Sequence, residues 1–479
     1  MSSVISPIHK AAATPLAQSY SQPYFWAFLG ALLLCLSPSN ILAYMAPAAV
    51  IAIFLLLSRS HTVLRNILLW FIVWGIIIAF YALLTPDFLL HSSFLSILTY
   101  SSFLVVLTIP HKFVANQALL DRMMEWVRWV VIIEALVGIT QGIYGFTQTG
   151  RFDGANGDFV EGTIHLALAP ELAFSNPMFA INMTFFLIAL LPDLMLRRKG
   201  VIAIILGGIA LIMASVIHVL MMLAAAGIIA VFLYWPISLR QRMTPIVLAG
   251  LCVAITLSFF TLRNNFLIVT VFAQRLLNGE SYRSIAIKRA IYDLPNDYEL
   301  YPLVGLGPGQ FSSRAGLIGT GLYFGGPVNP RPLPLLPQGM SPSFEAYTLD
   351  LWLAKTGRAT GGGGGDTGST NQPFLSWLSL YTEWGILVFF GIFLLVAYLL
   401  IRVRLKVRTY PQRILAYSFG TSLLLLLFLG AQENYWEIPQ AILIGLIILK
   451  VQYAVLMTFG APKASSNIRR SLKDAIGYQ

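Results

Sequence analysis

Apolar runs of about 18–22 residues follow one another along the chain, separated by short polar stretches that hold most of the charge. Runs of this length match a hydrocarbon core of roughly 30 Å crossed by an α-helix. They are continuously apolar, not alternating, which excludes the pattern of a membrane β-barrel. The stretch Tyr24–Leu57 is too long for one span or for a signal-peptide core, and the turn signal Ser37-Pro38-Ser39-Asn40 divides it into two helices. A third helix ends near Leu84, before Pro86 and Asp87, and a fourth near Pro110. The fifth covers Met123–Phe146 and the sixth Phe179–Leu196. Val201–Trp235 is twice membrane length and reads as a tight hairpin turning near Ser215–His218. A ninth helix, Pro245–Leu262, is followed by a long Gly/Pro-rich polar interval. Helices then resume over Phe374–Ile401, over Ile414–Gly430, and in a last run ending near Met457.

The pattern predicts an all-α integral membrane protein with about twelve transmembrane helices. A tail over 1–22 precedes a bundle of about nine helices over 23–262. The polar interval fills 263–372, the last three helices 373–458, and a second tail 459–479. No internal repeat of the kind expected in many transporters is evident.

Composition agrees with the pattern: of 479 residues, 57% are hydrophobic and only 11% charged, against about 25% charged in soluble domains. The net charge of +11 raises nucleic acid as a partner, and its placement excludes it. The cations cluster in short loops between apolar runs, as in Arg197-Arg198-Lys199 and in the segment from Arg402 to Arg413. That is the positive-inside signature. It puts both termini inside, and Asp87, Glu433, Glu437 and the long interval outside. The two cysteines, Cys35 and Cys252, both lie within apolar runs and form neither a disulfide framework nor a metal set.

Candidate chemistry concentrates at the two ends of the interval. If the segment opening at Ser281 is helical, Arg283 shares a stripe with Ile287, Ala290, Ile291 and Leu294, while Lys288 and Arg289 point away. A desolvated guanidinium needs an anion. Arg283 either pairs with a nearby carboxylate such as Glu280 or Asp293, or clamps phosphate through its planar fork. The glycines of PLVGLGPGQF (Gly305, Gly307, Gly309) lack the Lys-Ser/Thr of a P-loop and are read as permitting tight backbone turns. Gly361–Gly365 reads as a linker or a mobile lid. Glu383 lies about 15 Å below the start of the tenth helix. Like Glu134 in the fifth, it is either a structural hydrogen-bond partner or the floor of a site. His218 and His165 lack partners at ligand spacing, so no metal is expected.

Four segments together resemble the O-antigen polymerase/O-antigen ligase family of bacterial envelope glycosyltransferases. Arg151-Phe-Asp-Gly154 with Ser175-Asn-Pro-Met-Phe-Ala180 resembles the family's Arg-x-x-Gly loop and Asn-Pro helix start. Ser281-Tyr-Arg283 resembles the arginine that opens its large loop. Pro302–Phe311 resembles its glycine segment, and Asn371-Gln-Pro-Phe-Leu375 through Glu383-Trp-Gly385 resembles its exit helix.

The resemblance implies a GT-C-like fold in the bacterial inner membrane with a periplasmic large loop. It also implies cofactor- and metal-independent transfer of a glycan from undecaprenyl diphosphate to an acceptor hydroxyl. Its implied partners are lipid-linked oligosaccharide donor and acceptor, membrane lipid, a chain-length regulator and a flippase. Arg151, Arg283, Arg289 and Arg314 become candidate diphosphate ligands. Arg283, Glu383, His218 and His165 become candidate catalytic residues, and Gly305, Gly307, Gly309 and Asn371 positioning residues.

Two departures matter. Ser215-Val-Ile-His218 stands where the family often has an arginine after a Ser-x-Ser turn, and Thr370 stands where the ligase branch has a histidine. The second favours a polymerase of O-antigen or exopolysaccharide over a ligase and leaves the general base unassigned. A transporter of lipid-linked sugar or a small anion is the alternative outside the enzyme class, and paired broken helices would favour it.

Overall fold

The computed structural model describes residues 15–150, 160–164, 176–236, 273–325, 329–332, 339–359 and 373–459, apart from isolated positions. Among these the structure is helical and has no strand. Eight helices are long and apolar enough to cross a membrane, nine if a bent pair counts as one span. The expected ninth helix, Pro245–Leu262, lies outside the described residues, as do Arg151, His165, Thr370, Asn371 and the five-glycine run.

The chain opens with α1 (Pro15–Cys35) and α2 (Asn40–Ser58). α1 begins inside the stretch expected to be a tail, because Tyr20 stacks on Phe113 with ring centroids 4.0 Å apart. α2 starts at the Ser39 N-cap, whose hydroxyl accepts the Leu42 amide, which is why Ser37–Asn40 divides the run. α3 (His61–Leu84) is capped in the same way by Ser60.

The helix expected to end near Pro110 is instead two, α4 (Leu90–Thr99) and α5 (Ser101–Thr108), bent by 62° at Tyr100. The cause is local. The hydroxyls of Ser96, Thr99 and Ser101 donate to the carbonyls of Ser93, Ser96 and Leu98, and such back-bonding bends helices. At the far end of α5 the Lys450 ammonium donates to the carbonyls of Val106 and Ile109, a cation at a helix C-terminus.

Next come α6 (Gln117–Thr149), α7 (Asn176–Arg197), α8 (Val201–Met213) and α9 (Ile217–Tyr234). The turn between α8 and α9 centres on Ser215, which holds a left-handed φ of 67°. The interval supplies α10 (Tyr282–Lys288), a π-helical turn over Arg289–Asp293 and several short helices. The bundle closes with α11 (Ser376–Lys406), α12 (Tyr410–Gln432) and α13 (Pro439–Phe459).

Burial ranks these helices. In α12 and α13, 83% of the membrane-length window is buried, against 17% in α3 and 11% in α11. By burial, α12 and α13 form the central pair and α3 and α11 the periphery; the peripheral two are the more hydrophobic, as suits helices that face lipid, which is as apolar as a leucine side chain. The short connection between the central pair is then itself buried, and its charges require partners.

Candidate functional site

The interval packs onto one end of the bundle through its own apolar cluster. Ala286, Ala290, Leu294, Tyr301, Leu306 and Phe311 meet Leu375 and Leu378 of the α11 entrance. Arg283 belongs to this buried face, as its helical phase predicts. Ile291 does not: it is exposed, because the π turn adds a residue and shifts the stripe onto Ala290 and Leu294.

The Arg283 guanidinium, 5% exposed, reaches past its own helix and donates to the Gln432 carbonyl at the end of α12. Burial lowers its pKa to about 10, against the nearby Glu433 and Tyr435, which raise it. It therefore remains charged at neutral pH. Its charge also lies within electrostatic range of His218. The His218 Nε2 is 3.2 Å from the Tyr435 hydroxyl, and the two rings are nearly parallel. Arg283, from the interval, and His218, from the first turn of α9, thus come together. Neither sequence stretch points to the other.

The other candidates sit elsewhere. Arg289 makes a two-pronged pair with Asp350 at 2.7 and 2.8 Å and donates to the Tyr347 carbonyl. Expected as a diphosphate ligand, it is a partly exposed staple within the interval. Arg314 is buried and pairs with Glu433. Its backbone amide donates to Glu437 at 2.6 Å, and its guanidinium lies 5.1 Å from the Tyr323 ring centroid. Its charge is thereby spent on the turn between α12 and α13.

Glu383 is fully buried, and its carboxylate accepts the amides of Gly309, Phe311 and Ser313 at 2.8, 3.2 and 3.0 Å. Of the two roles open to it, this geometry is that of a structural anchor. Both of its oxygens are occupied by these three amides, and a proton on either oxygen would compete with the amides held there. Glu134 holds the short segment around Thr163 likewise, accepting its amide and its hydroxyl.

The glycine segment threads between α3–α4 and α11. Gly305, Gly307 and Gly309 have φ of 83°, 102° and 79°, and a Cβ on them would meet the Glu383 backbone, Tyr81 and Phe88, and Ser92 respectively. α11 is interrupted to receive it. Gly385 leaves helical geometry at φ 76°, ψ 173°, so the carbonyls of Thr382 and Glu383 accept the amides of Leu306 and Gly307, each at 2.9 Å. On the other side the hydroxyls of Tyr81, Thr85 and Ser93 donate to the carbonyls of Val304, Leu306 and Pro308.

Glu433, Tyr435 and Glu437 were not among the expected site residues, although the sequence carried a signal. Two carboxylates four residues apart stand in the short connection between two membrane-length helices, and charges so close to the bilayer need partners. Around it Asn434 donates to the Ser312 carbonyl at 2.8 Å, and the Trp436 amide donates to the Ser376 hydroxyl at 3.2 Å. Burial pushes the Glu437 carboxyl up to about 8, and the Glu383 charge adds to the rise.

An apolar cavity of 170 Å³ lies apart from this cluster, between α7, α9 and α12, lined by Ile188, Leu191, Leu223, Gly227, Tyr417 and Thr421. Thr421 is about 16 Å along α12 from Gln432. No family model matches the chain, and neither a curated protein nor a solved structure does.

Proposed function

We propose that the protein is an inner-membrane polysaccharide polymerase. It would transfer a growing glycan from undecaprenyl diphosphate to a hydroxyl of another lipid-linked repeat unit. The observation that carries this reading is the Arg283 guanidinium, buried where the interval meets the bundle and beside the His218–Tyr435 pair. The four sequence resemblances add the reaction class.

In this scheme the interval is periplasmic and both termini are cytoplasmic. Arg283 holds the donor diphosphate through charge-assisted hydrogen bonds and stabilises the negative charge that develops on it as the bond to the anomeric carbon breaks. The acceptor oxygen forms the new bond to that carbon and gives its proton to His218, whose ring is oriented by the Tyr435 hydroxyl. Undecaprenyl diphosphate leaves. Of the three candidate arginines among the described residues, Arg283 is the one whose position suits this role. Arg289 and Arg314 are engaged by Asp350 and Glu433.

The transporter alternative draws on the two interrupted helices, α4–α5 and α11. Against it, the carbonyls freed in α11 accept amides of the glycine segment, so the interruption is filled by the chain's own backbone. In a transporter such groups coordinate the transported ion.

Purified protein incubated with undecaprenyl-diphosphate repeat units alone should produce a ladder of chain lengths. Transfer only when a lipid or protein acceptor is added would make it a ligase. Absence of transfer with any acceptor would remove the enzyme reading.

A further inference from the structure

The two peripheral helices carry a ruler for the membrane. At the end away from the interval, α3 bears the exposed Arg65 and α11 the exposed Arg402, and charges there belong at the headgroup level. A hydrocarbon core is crossed in about 20 helical residues. Counted from Arg65 that distance ends at Thr85, and counted back from Arg402 it ends at Thr382. These two residues, from distant parts of the chain, meet at one point of the interval. The Thr85 hydroxyl donates to the Leu306 carbonyl at 3.1 Å, and the Leu306 amide donates to the Thr382 carbonyl at 2.9 Å. The glycine segment therefore lies at the edge of the hydrocarbon.

The residues just before it lie deeper. The short helix Tyr301–Val304 packs at Gly385, three residues further into the span than Thr382, where an added Cβ would meet the Leu303 carbonyl. Yet Leu303 is 51% exposed and Leu300 59%. Leu387, two residues past Gly385, is exposed as well, and so is Leu83, two past the Tyr81 that bonds Val304. Charge resumes only on the other side of this level, where exposed Asp87 accepts the Tyr298 hydroxyl at 3.5 Å. A second, independent observation is the backbone. Non-helical chain is tolerated at membrane depth only where the protein itself satisfies its polar groups. Every amide from Val304 to Gly309 is bonded within the protein. The carbonyls of Val304, Leu306 and Pro308 take the hydroxyls of Tyr81, Thr85 and Ser93.

We propose that the interval dips into the bilayer at this point. The short helix Tyr301–Val304 is seated in the rim of the hydrocarbon, and the apolar face of Leu300 and Leu303 is covered by lipid acyl chains. Lipid is the occupant because the face continues the lipid-facing sides of α3 and α11 at the depth their lengths define. The anchor also sets the height of the Arg283 helix above the membrane, since the Tyr301 hydroxyl donates to the Ala290 carbonyl at 2.6 Å. The proposal stands apart from the transfer reading and needs no substrate to test.

The test uses the full-length protein in lipid nanodiscs, with Cys35→Ser and Cys252→Ser as background. A nitroxide is attached through Leu303→Cys, and its collisions with oxygen and with a neutral nickel chelate are compared by electron paramagnetic resonance. Leu387→Cys on α11 gives the lipid reference and Glu345→Cys, at an exposed glutamate of the interval, the water reference. The oxygen-to-nickel ratio at Leu303 should exceed that at Glu345 by about fivefold or more, the scale on which a polar solute is excluded from a partly apolar medium. It should shift in the same direction as at Leu387. Should the Leu303→Cys protein not melt like its background, Leu300→Cys, one turn earlier on the same face, takes its place with the same expectation. A ratio equal to that at Glu345, in a protein that melts normally, overturns the proposal.

Discussion

Glu437 shows how a single buried carboxyl shapes the pH response of this end of the bundle. Its folded pKa of about 8 lies above its ordinary value of 4.5, so the folded state keeps a proton that the unfolded chain releases between those values. The stability it contributes is fully present below about 4.5 and is lost as pH rises through about 8. Glu437→Gln cannot ionise and should flatten this slope. Between pH 5 and pH 8 the wild-type melting temperature should fall by more than the variant's, and parallel curves would refute the assignment. Arg289 offers the opposite case. Its pair with Asp350 is half in water, and such pairs are worth about 0–1 kcal/mol. Arg289→Ala should lower stability by no more than about 1 kcal/mol and leave transfer near the wild-type rate, measured by denaturation and by the ladder assay.

At the scale of elements, the glycine segment and the interrupted α11 are one construction. A Gly→Ala change inside a helix ordinarily stabilises by up to about 1 kcal/mol. Gly385 should invert that sign, because its φ is positive and a Cβ there would run into the Leu303 backbone. Gly391, six residues on in the same helix, has nothing within 4 Å of an added Cβ. Gly385→Ala should cost about 2 kcal/mol or more, while Gly391→Ala is neutral or mildly stabilising. Thermal melts of the two variants in one detergent make the comparison. Equal effects would mean that α11 is not broken at Gly385. The same elements mark what the sequence could reveal. The Ser37–Asn40 divide, the turn at Ser215 and the burial of Arg283 are local properties, fixed by turn chemistry and helical phase, and all three are legible from residues a few places apart. The bend at Tyr100 is local as well, made by the serines and threonines around it, though hydropathy alone passes over it; the break at Gly385 is not. What opens the helix at Gly385 is a segment about eighty residues earlier that needs two carbonyls.

At the scale of the whole molecule, hydrophobicity alone marks out an all-helical chain with many apolar spans, and most expected spans coincide with helices among the described residues. The candidate site was legible by half. The Arg283 helix and the Glu383 helix were recognisable as its two ends. The wall between them, Gln432–Glu437, was noticed in the sequence only as an acidic loop. Its importance follows from α12 and α13 being the central pair, a fact of packing that no single helix carries in its own sequence. The central claim is that this junction holds a lipid diphosphate on Arg283. It is tested most directly by assaying Arg283→Ala with purified undecaprenyl-diphosphate repeat units, with membrane insertion and melting checked in parallel. The account predicts a folded, membrane-inserted protein that makes no polymer. A folded Arg283→Ala protein that builds the wild-type ladder would contradict it.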